Sequence, residues 1–530
     1  MDPESKNITP DSPGSTAPVV TPSALTSEPV KPAAAPASTP LPSLSDAIAK
    51  SADSPLGSST TPPPNSQSVV GGPKKSKKLL LIIIAVVVLL AGAAGAYFFL
   101  GKKNDDKDKQ QATTDKKTTL VFAVHWLEKQ QIEGVKKDGK LVSKGLRQYL
   151  TEYEKLHSDI RFNVQQIPYN DYANKLKVLS DSGAAPDIYQ IYSPWGASYV
   201  RDGLLAEPPS DIQKDVMDNY ISAAGPTIDG KMWGIPTEIN NYALLYNKDM
   251  FKAAGIVDSK GEAKAPTTWA EVLADSKKLT KKDTKGVITQ YGFSFLRDND
   301  WEAVDPFLSL LFSNGGKYLA DDFSKSLFNG PEGVQALDAE VQLFKDGSTD
   351  SSGNFYDFSK NKVAIVVSPP WTKTNFATDF GSKFESTVGV APLPYLKSAN
   401  TLQYSWFAGV MKASAHQKAA WDFLKWFSSD VQASGTTRYG DLLAETIGAI
   451  PARKVDFDSH KDVLGDFFTS VFINQMKVST AEPNVLQSSD IKKALMSEIQ
   501  SAWDGKKTSQ QALDSAAEAV NKILDQNYKK

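Results

Sequence analysis

The chain has 530 residues, 41% hydrophobic and 10% aromatic, enough to bury a large core and build two or three domains. Its 59 basic and 61 acidic residues leave a formal net charge of -2 and are spread along the chain, so it carries no electrostatic footprint for nucleic acid. Cysteine is absent, which excludes a disulfide framework, a thiolate metal site, a cysteine nucleophile and a lipid-modified cysteine anchor.

Residues 1–73 are dominated by Pro, Ser, Thr and Ala, as in Thr61-Pro62-Pro63-Pro64, and offer few large apolar groups to offset the entropy of ordering. This composition predicts a disordered tail, a solvated spacer rather than a partner-binding arm. A basic flank, Lys74-Lys75-Ser76-Lys77-Lys78, precedes an uncharged apolar run from Leu79 to Leu100. At 1.5 Å per residue that run spans about 33 Å, the length of a transmembrane helix, so residues 74–100 are expected to be a membrane anchor with its flank. Ala94-Gly95-Ala96 resembles a small-residue cleavage site, but the run is long and continues through Tyr97, Phe98 and Phe99, which favours an uncleaved anchor. The four lysines ahead of the span lean towards a cytoplasmic N-terminus, with residues 101–530 outside. Residues 101–117 are polar and predict a flexible linker with a reach of about 20–25 Å.

From Thr118 the pattern alternates between strand and helix. Leu120 to Val124 predicts a strand, and Leu146, Tyr149, Leu150, Tyr153 and Leu156 repeat at helical spacing. A second strand is expected over Phe162 to Ile167, then a helix carrying Tyr172, Leu176 and Leu179, then a strand over Asp187 to Ile191. Thr268-Trp269-Ala270-Glu271 has the form of a capping box opening a helix. Val363 to Val367 has the composition of a strand covered on both faces. Ala420, Phe423, Leu424 and Phe427 mark one further helix, and Leu513, Ala516, Ala517, Val520 and Ile523 mark a C-terminal one. The expectation is an α/β protein of two lobes.

Several segments resemble the family 1 extracellular solute-binding proteins of ABC importers, the group that includes maltodextrin-binding proteins. They are Ala185-Pro186-Asp187-Ile188 with Asp202-Gly203-Leu204-Leu205-Ala206-Glu207, and Gly230-Lys231-Met232-Trp233-Gly234-Ile235-Pro236 leading into Leu245-Tyr246-Asn247-Lys248-Asp249. Ala254-Gly255-Ile256, Pro266-Thr267-Thr268-Trp269, Asn361-Lys362-Val363-Ala364 and Ala391-Pro392-Leu393-Pro394 follow in order, then Ala419-Ala420-Trp421-Asp422-Phe423-Leu424 and Ile450-Pro451-Ala452-Arg453. The resemblance covers essentially all of 118–530 and implies two lobes with ligand held between them, discontinuous in sequence: one of about 118–237 and 395–448, the other of about 240–393 and 450–530. By analogy the chain crosses between lobes near Pro236 to Asn241, near Pro392 to Tyr395 and around Ser428 to Pro451. The implied function is capture of a carbohydrate, a mono- or oligosaccharide, for an ABC permease by hinge closure.

Sugars present hydroxyl rims and weakly apolar faces, so aromatic rings and planar polar side chains are the candidates. Of ten tryptophans, Trp126, Trp195, Trp301, Trp371 and Trp406 fall in loops or just after predicted strands, where open α/β sheets bind ligands. Trp371 and Trp301 lie where the resembled family places aromatic contacts. Tyr192 follows the strand at Asp187, but Tyr192-Ser193-Pro194-Trp195 departs from the maltodextrin binders and leaves the sugar open. Glu238, Asn240, Asn241 and Tyr242 sit at the expected first crossing, and Arg438 is a further candidate.

No phosphate loop, zinc-protease pattern, calcium loop or nucleophile elbow is present, and His125, His157, His416 and His460 are scattered and read as structural. No catalysis, cofactor or metal is expected, and the chain is expected to act as a monomer. The alternatives are a glycan-acting enzyme, a surface sensor or adhesin, and a binder of another solute such as a polyamine, which would favour a carboxylate-lined cleft.

Overall fold

A computed structural model describes residues 117–221, 226–297 and 299–529, the side chains of Trp301 and Glu302 excepted. The expected tail, membrane span and linker, 1–116, lie outside the described residues. Among the described residues no helix is long and apolar enough to cross a membrane.

Nine strands form the two principal sheets: β1 (Thr118–Val124), β2 (Ile160–Gln166), β3 (Ile188–Tyr192), β4 (Ile235–Asn241), β5 (Ala243–Asn247), β6 (Ile365–Ser368), β7 (Val388–Pro392), β8 (Thr401–Val410) and β9 (Ser479–Ala481). The first sheet runs β9-β8-β3-β1-β2, with β4 also paired to β8. Its β1 lies parallel to β2, Thr118 opposite Ile160 and Val124 opposite Gln166. Parallel neighbours need a crossover, and the helix α1 (Leu146–Leu156) supplies it, burying Leu146, Tyr149, Leu150 and Tyr153 of the predicted stripe while its last member, Leu156, is exposed at the helix end. The helix α2 (Tyr169–Asp181) makes the next crossover, to β3.

The second sheet is antiparallel, β6-β5-β7, with β5 buried along its whole length between its partners. The predicted β-branched strand appears as Ile365–Ser368, two residues later than its apolar start, because Val363 is spent on a bridge to Tyr291. The helices α3 (Trp269–Leu279), α4 (Asp305–Ser313) and α5 (Pro331–Lys345) bury Trp269, Phe307 and Leu337 in the core cluster that also takes in Leu244 and Val366 of this sheet. Against the first sheet α6 (Gln417–Ser428) lays Phe423 and Phe427, in one buried cluster with Leu120, Phe122 and Leu150. The C-terminal α7 (Ser488–Trp503) and α8 (Ser509–Tyr528) bury Leu495 and Val520 in the second cluster, with Leu244, Val366, Trp269 and Phe307.

The capping box is present as predicted: Glu271 N–H donates to Thr268 Oγ1 at 3.3 Å, and Thr268 N–H donates to Glu271 Oε2 at 3.2 Å. Backbone and hydroxyl donors of Thr267, then the Thr268 N–H, hold the Glu271 carboxyl down at about 2. Thr268→Ala removes one half of this exchange and is expected to lower unfolding free energy by about 1 kcal/mol in urea titrations. An unchanged midpoint would show that tertiary packing alone fixes the start of α3.

Candidate functional site

A cavity of about 440 Å³ opens between the two sheets. Its first wall comes from the carboxyl ends of parallel strands: His125 and Trp126 follow β1, Tyr169 opens α2 after β2, and Tyr192 ends β3. On β8, Tyr404 and Trp406 are two residues apart and so share one face of the strand, and Trp406 stands opposite Tyr192 in the ladder. The other wall carries Asn299, Tyr356, Trp371, Thr374 and Asn375, from segments around the second sheet.

The rings support one another. His125 stacks on Trp406 with centroids 3.8 Å apart, and Tyr192 meets Tyr404 edge-on at 5.2 Å. Trp371 Nε1 donates to the Tyr404 hydroxyl at 3.2 Å, so one contact joins the two walls. Several buried polar atoms at the cavity have no partner in the protein: His125 Nδ1, Trp126 Nε1 and Glu238 Oε2. Burial pushes the His125 imidazole down to about 3, so it is neutral, and pushes Glu238 up to about 7, with Asn240 partly opposing.

Of the residues singled out in the sequence, Trp126, Tyr192, Glu238, Trp371 and Trp406 line the cavity. Trp195 stands behind the wall, 5.3 Å from Tyr192 and 5.8 Å from Trp406, and supports their rings. Asn240, Asn241 and Tyr242 are buried at the crossing rather than in the lining; Asn241 Nδ2 donates to the Phe472 carbonyl and the Tyr242 hydroxyl to Asp305. Arg438 lies away from the cavity, its guanidinium 4.1 Å from the Trp426 ring and its Nε 3.4 Å from Glu152. Trp301 falls in the short helix Asp300–Ala303, its side chain outside the described part. Among the lining residues that sequence reasoning passed over are His125, Glu128, Tyr169, Asn299, Tyr356, Thr374, Asn375 and Tyr404. Alternation along β8 was the available signal for Tyr404, two positions before Trp406.

Beneath the cavity lies a buried charge network. Lys492 Nζ is 2.7 Å from Asp305 Oδ1 and 2.9 Å from Glu482 Oε1, and all three side chains are at most 3% exposed. The Tyr192 hydroxyl donates to Glu482 Oε2 at 2.6 Å, and the Tyr242 hydroxyl to Asp305 Oδ2 at 2.7 Å. Burial opposes the Lys492 charge, but Asp305 and Glu482 outweigh it and hold the ammonium protonated; burial pushes Asp305 up.

The profile of the family described as "Bacterial extracellular solute-binding protein" matches residues 137–434. Among similar sequences is the galactooligosaccharide-binding protein of Bacillus subtilis, 24% identical over 400 residues, covering 72% of this chain and 87% of that protein. A maltooligosaccharide ABC transporter solute-binding lipoprotein of Streptococcus pneumoniae is 23% identical over 416 residues, covering 74% of this chain and 90% of its own. Among solved structures, the cyclic alpha-maltosyl-1,6-maltose binding protein of Arthrobacter globiformis superposes with a TM-score of 0.61 at 24% identity, over 78% of this chain and all (100%) of that one. A solute-binding protein of Thermotoga lettingae bound with alpha-D-tagatose gives 0.64 at 22% identity, over 77% and 100%. The fold is therefore the two-lobed α/β fold expected from the sequence.

Lys492→Met leaves two carboxylates buried without their cation and is expected to lose about 3–5 kcal/mol of stability by urea unfolding at pH 7. A loss below about 1 kcal/mol would mean that water reaches the network. Glu238 gives a pH dependence. Its folded value is raised from 4.5 to about 7, so its stabilising contribution is complete below about pH 4.5 and is lost as pH rises towards 7. Glu238→Gln lacks that loss, so the variant should gain on the parent by up to about 3 kcal/mol between pH 4.5 and pH 8. Parallel stability curves for the two proteins would contradict the buried, raised carboxyl.

Proposed function

Because the chain belongs to the bacterial extracellular solute-binding proteins, we propose that its cleft captures a carbohydrate, a mono- or oligosaccharide, for an ABC permease and closes about it. One observation carries this reading: aromatic rings face the same cavity from both walls, Trp126, Tyr192 and Trp406 from one side and Tyr356 and Trp371 from the other. Rings pack on the C–H faces of a sugar, while the unpartnered atoms of His125, Trp126 and Glu238 offer hydrogen bonds to its hydroxyls. The printed names of relatives, galactooligosaccharide- and maltooligosaccharide-binding, support the same chemical class. They are binding proteins, which supports a role without catalysis.

In this proposal the lobes follow the expected boundaries, about 118–237 with 395–448 and about 240–393 with 450–530. Ligand contacts with both walls exist only when the lobes approach, so occupancy shifts the population towards the closed form. Residues 79–100 anchor the protein as a single span, with the N-terminus cytoplasmic, residues 101–530 outside, and the protein acting as a monomer. Lysine flanks and the apolar length support this arrangement. It substitutes for a lipid anchor in a chain without cysteine.

Thermal unfolding of the full chain with linear and cyclic malto- and galactooligosaccharides tests the reading. A true ligand at a hundred times its dissociation constant stabilises by about 2.7 kcal/mol. Trp371→Ala is expected to weaken that ligand by about 1.5–3 kcal/mol, roughly ten- to a hundredfold, by calorimetric titration. No stabilisation across the sugar panel, with a shift by spermidine or putrescine instead, would replace the carbohydrate by a polyamine.

A further inference from the structure

Away from the cleft rings, three side chains converge from two helical segments. Asp441 ends the helix Arg438–Asp441, Glu445 follows in the π-helix Leu442–Ile447, and His460 follows the helix Lys454–Ser459. His460 Nε2 lies 3.1 Å from Asp441 Oδ1 and 3.8 Å from Glu445 Oε1, and one atom from each residue falls within 4.8 Å of the other two. The imidazole is 5% exposed.

Its tautomer follows from the other nitrogen. His460 Nδ1 is 2.7 Å from the Asp456 carbonyl oxygen, which only accepts, so Nδ1 carries the ring proton and donates it there. The neutral ring therefore turns a lone pair, not a donor, towards two carboxylates. Three electron pairs facing one point repel unless a cation sits among them. A second proton on Nε2 would satisfy Asp441, but Glu445 at 3.8 Å is beyond hydrogen-bond reach and would gain little from it. A metal ion serves all three. Four ligands at about 2.0–2.1 Å in a tetrahedron stand about 3.3–3.5 Å apart, between the two distances observed here.

The surroundings suit ligation. A His that ligates a metal through one nitrogen and donates the other N–H to a backbone carbonyl is oriented for the task. The second oxygen of Asp441 accepts from Gln432 Nε2 at 2.8 Å, which fixes the carboxylate plane. Lys144 is the cation that faces Glu445, and the other groups acting on the cluster are its own members, Asp456, and the Thr436 and Gln432 side chains that hydrogen-bond Asp441. A π turn within a helix is itself frequent at functional sites.

We propose that Asp441, Glu445 and His460 form a binding site for a divalent transition metal, Zn²⁺ by ligand chemistry, with solvent as the fourth ligand. Nitrogen and carboxylate donors in this number suit Zn²⁺ better than Mg²⁺ or Ca²⁺, which take six or more oxygens. The metal ties the π-helical segment to the helix that ends before His460. Ile447, the last residue of that π-helix, and Ala449 just beyond it line the cleft, and the backbone of Ile450 accepts from Ile239 N–H beside Glu238. Metal occupancy therefore stiffens one wall of the cleft, whatever its solute.

The test is calorimetric titration of ZnCl₂ into the full chain stripped with EDTA at pH 7, with thermal unfolding before and after. One saturable Zn²⁺ per chain and a raised Tm are expected, with neither effect from MgCl₂. Asp441→Asn and His460→Ala should each weaken Zn²⁺ more than about tenfold, since even partners one step outside the metal cost about 10- to 100-fold. Glu445 is 41% exposed, so Glu445→Gln tests the site without disturbing the fold: its metal-free Tm should match the parent's while its Zn²⁺ affinity falls. Absence of saturable uptake, or uptake unaltered in Glu445→Gln and Asp441→Asn, overturns the proposal and leaves a protonated His460 paired with Asp441.

Discussion

An ammonium group cannot stay charged inside a protein unless its partners are brought to it, and Lys492 imposes that condition on the base of the cleft. Desolvating each ion costs several kcal/mol, recovered only when the geometry is good and the remaining lone pairs are satisfied. The partners come from separate parts of the chain: Asp305 opens α4, Glu482 follows β9, and Tyr192 ends β3. A shift of α7 by one turn would strand the charge. The network thus fixes the C-terminal helices, the second sheet's helices and the tip of the first sheet relative to one another. Tyr192 shows the coupling most directly, since its hydroxyl belongs to the network and its ring to the cavity.

The strand β8 extends that constraint to the rest of the ring wall. Its backbone pairs with β4 along one edge, and with β9 and then β3 along the other, so no part of it is a free loop. Tyr404 and Trp406 are therefore carried by a fully bonded ladder, which positions rings more precisely than a loop would. The crossing from β4 to β5 is equally constrained: Tyr242 is completely buried and hydrogen-bonded to Asp305, and its backbone exchanges hydrogen bonds with the Thr401 hydroxyl. In the proposed closure the rings of one wall move as a unit, because their ladder leaves them no independent motion.

What was legible in the sequence was what local chemistry decides. The apolar stripe of α1, the Thr268 capping box and the β-branched strand at Val363 each rest on residues within a few positions of one another, and each predicted an element that forms. Partners distant in sequence were not legible. Lys492 and Lys493 are neighbours, yet one is 3% exposed between two carboxylates and the other 67% exposed, a difference set by residues elsewhere in the chain. Arg438 reads as a ligand candidate in isolation, but Trp426, twelve residues earlier, holds it by cation–π contact. A count of tryptophans found five cleft candidates and, apart from Tyr192, overlooked the tyrosines of the wall, Tyr169, Tyr356 and Tyr404, together with His125, because the period of two along β8 matters more to the wall than indole content.

The electrostatics of the wall bear on the kind of guest it suits. His125 is neutral, and Glu238 is raised towards the carboxylic acid form, so the deep part of the cleft offers hydrogen-bonding groups with little standing charge. The buried Glu238 gives a polyamine little fixed charge to offset the desolvation of its ammonium groups, which leaves Glu128, nearer the solvent, as the other carboxylate of the lining. A polyhydroxylated neutral molecule fits better, because each hydroxyl can both donate and accept. Buried polar atoms without protein partners then become the basis of selectivity. A guest that reaches His125 Nδ1, Trp126 Nε1 and Glu238 satisfies them, whereas one lacking the matching hydroxyl leaves them dry and unpaired, a penalty of about 1–3 kcal/mol for each group. In the proposed complex the rings pack on the sugar faces without distinguishing one sugar from another, and these few orphaned atoms are the groups that can.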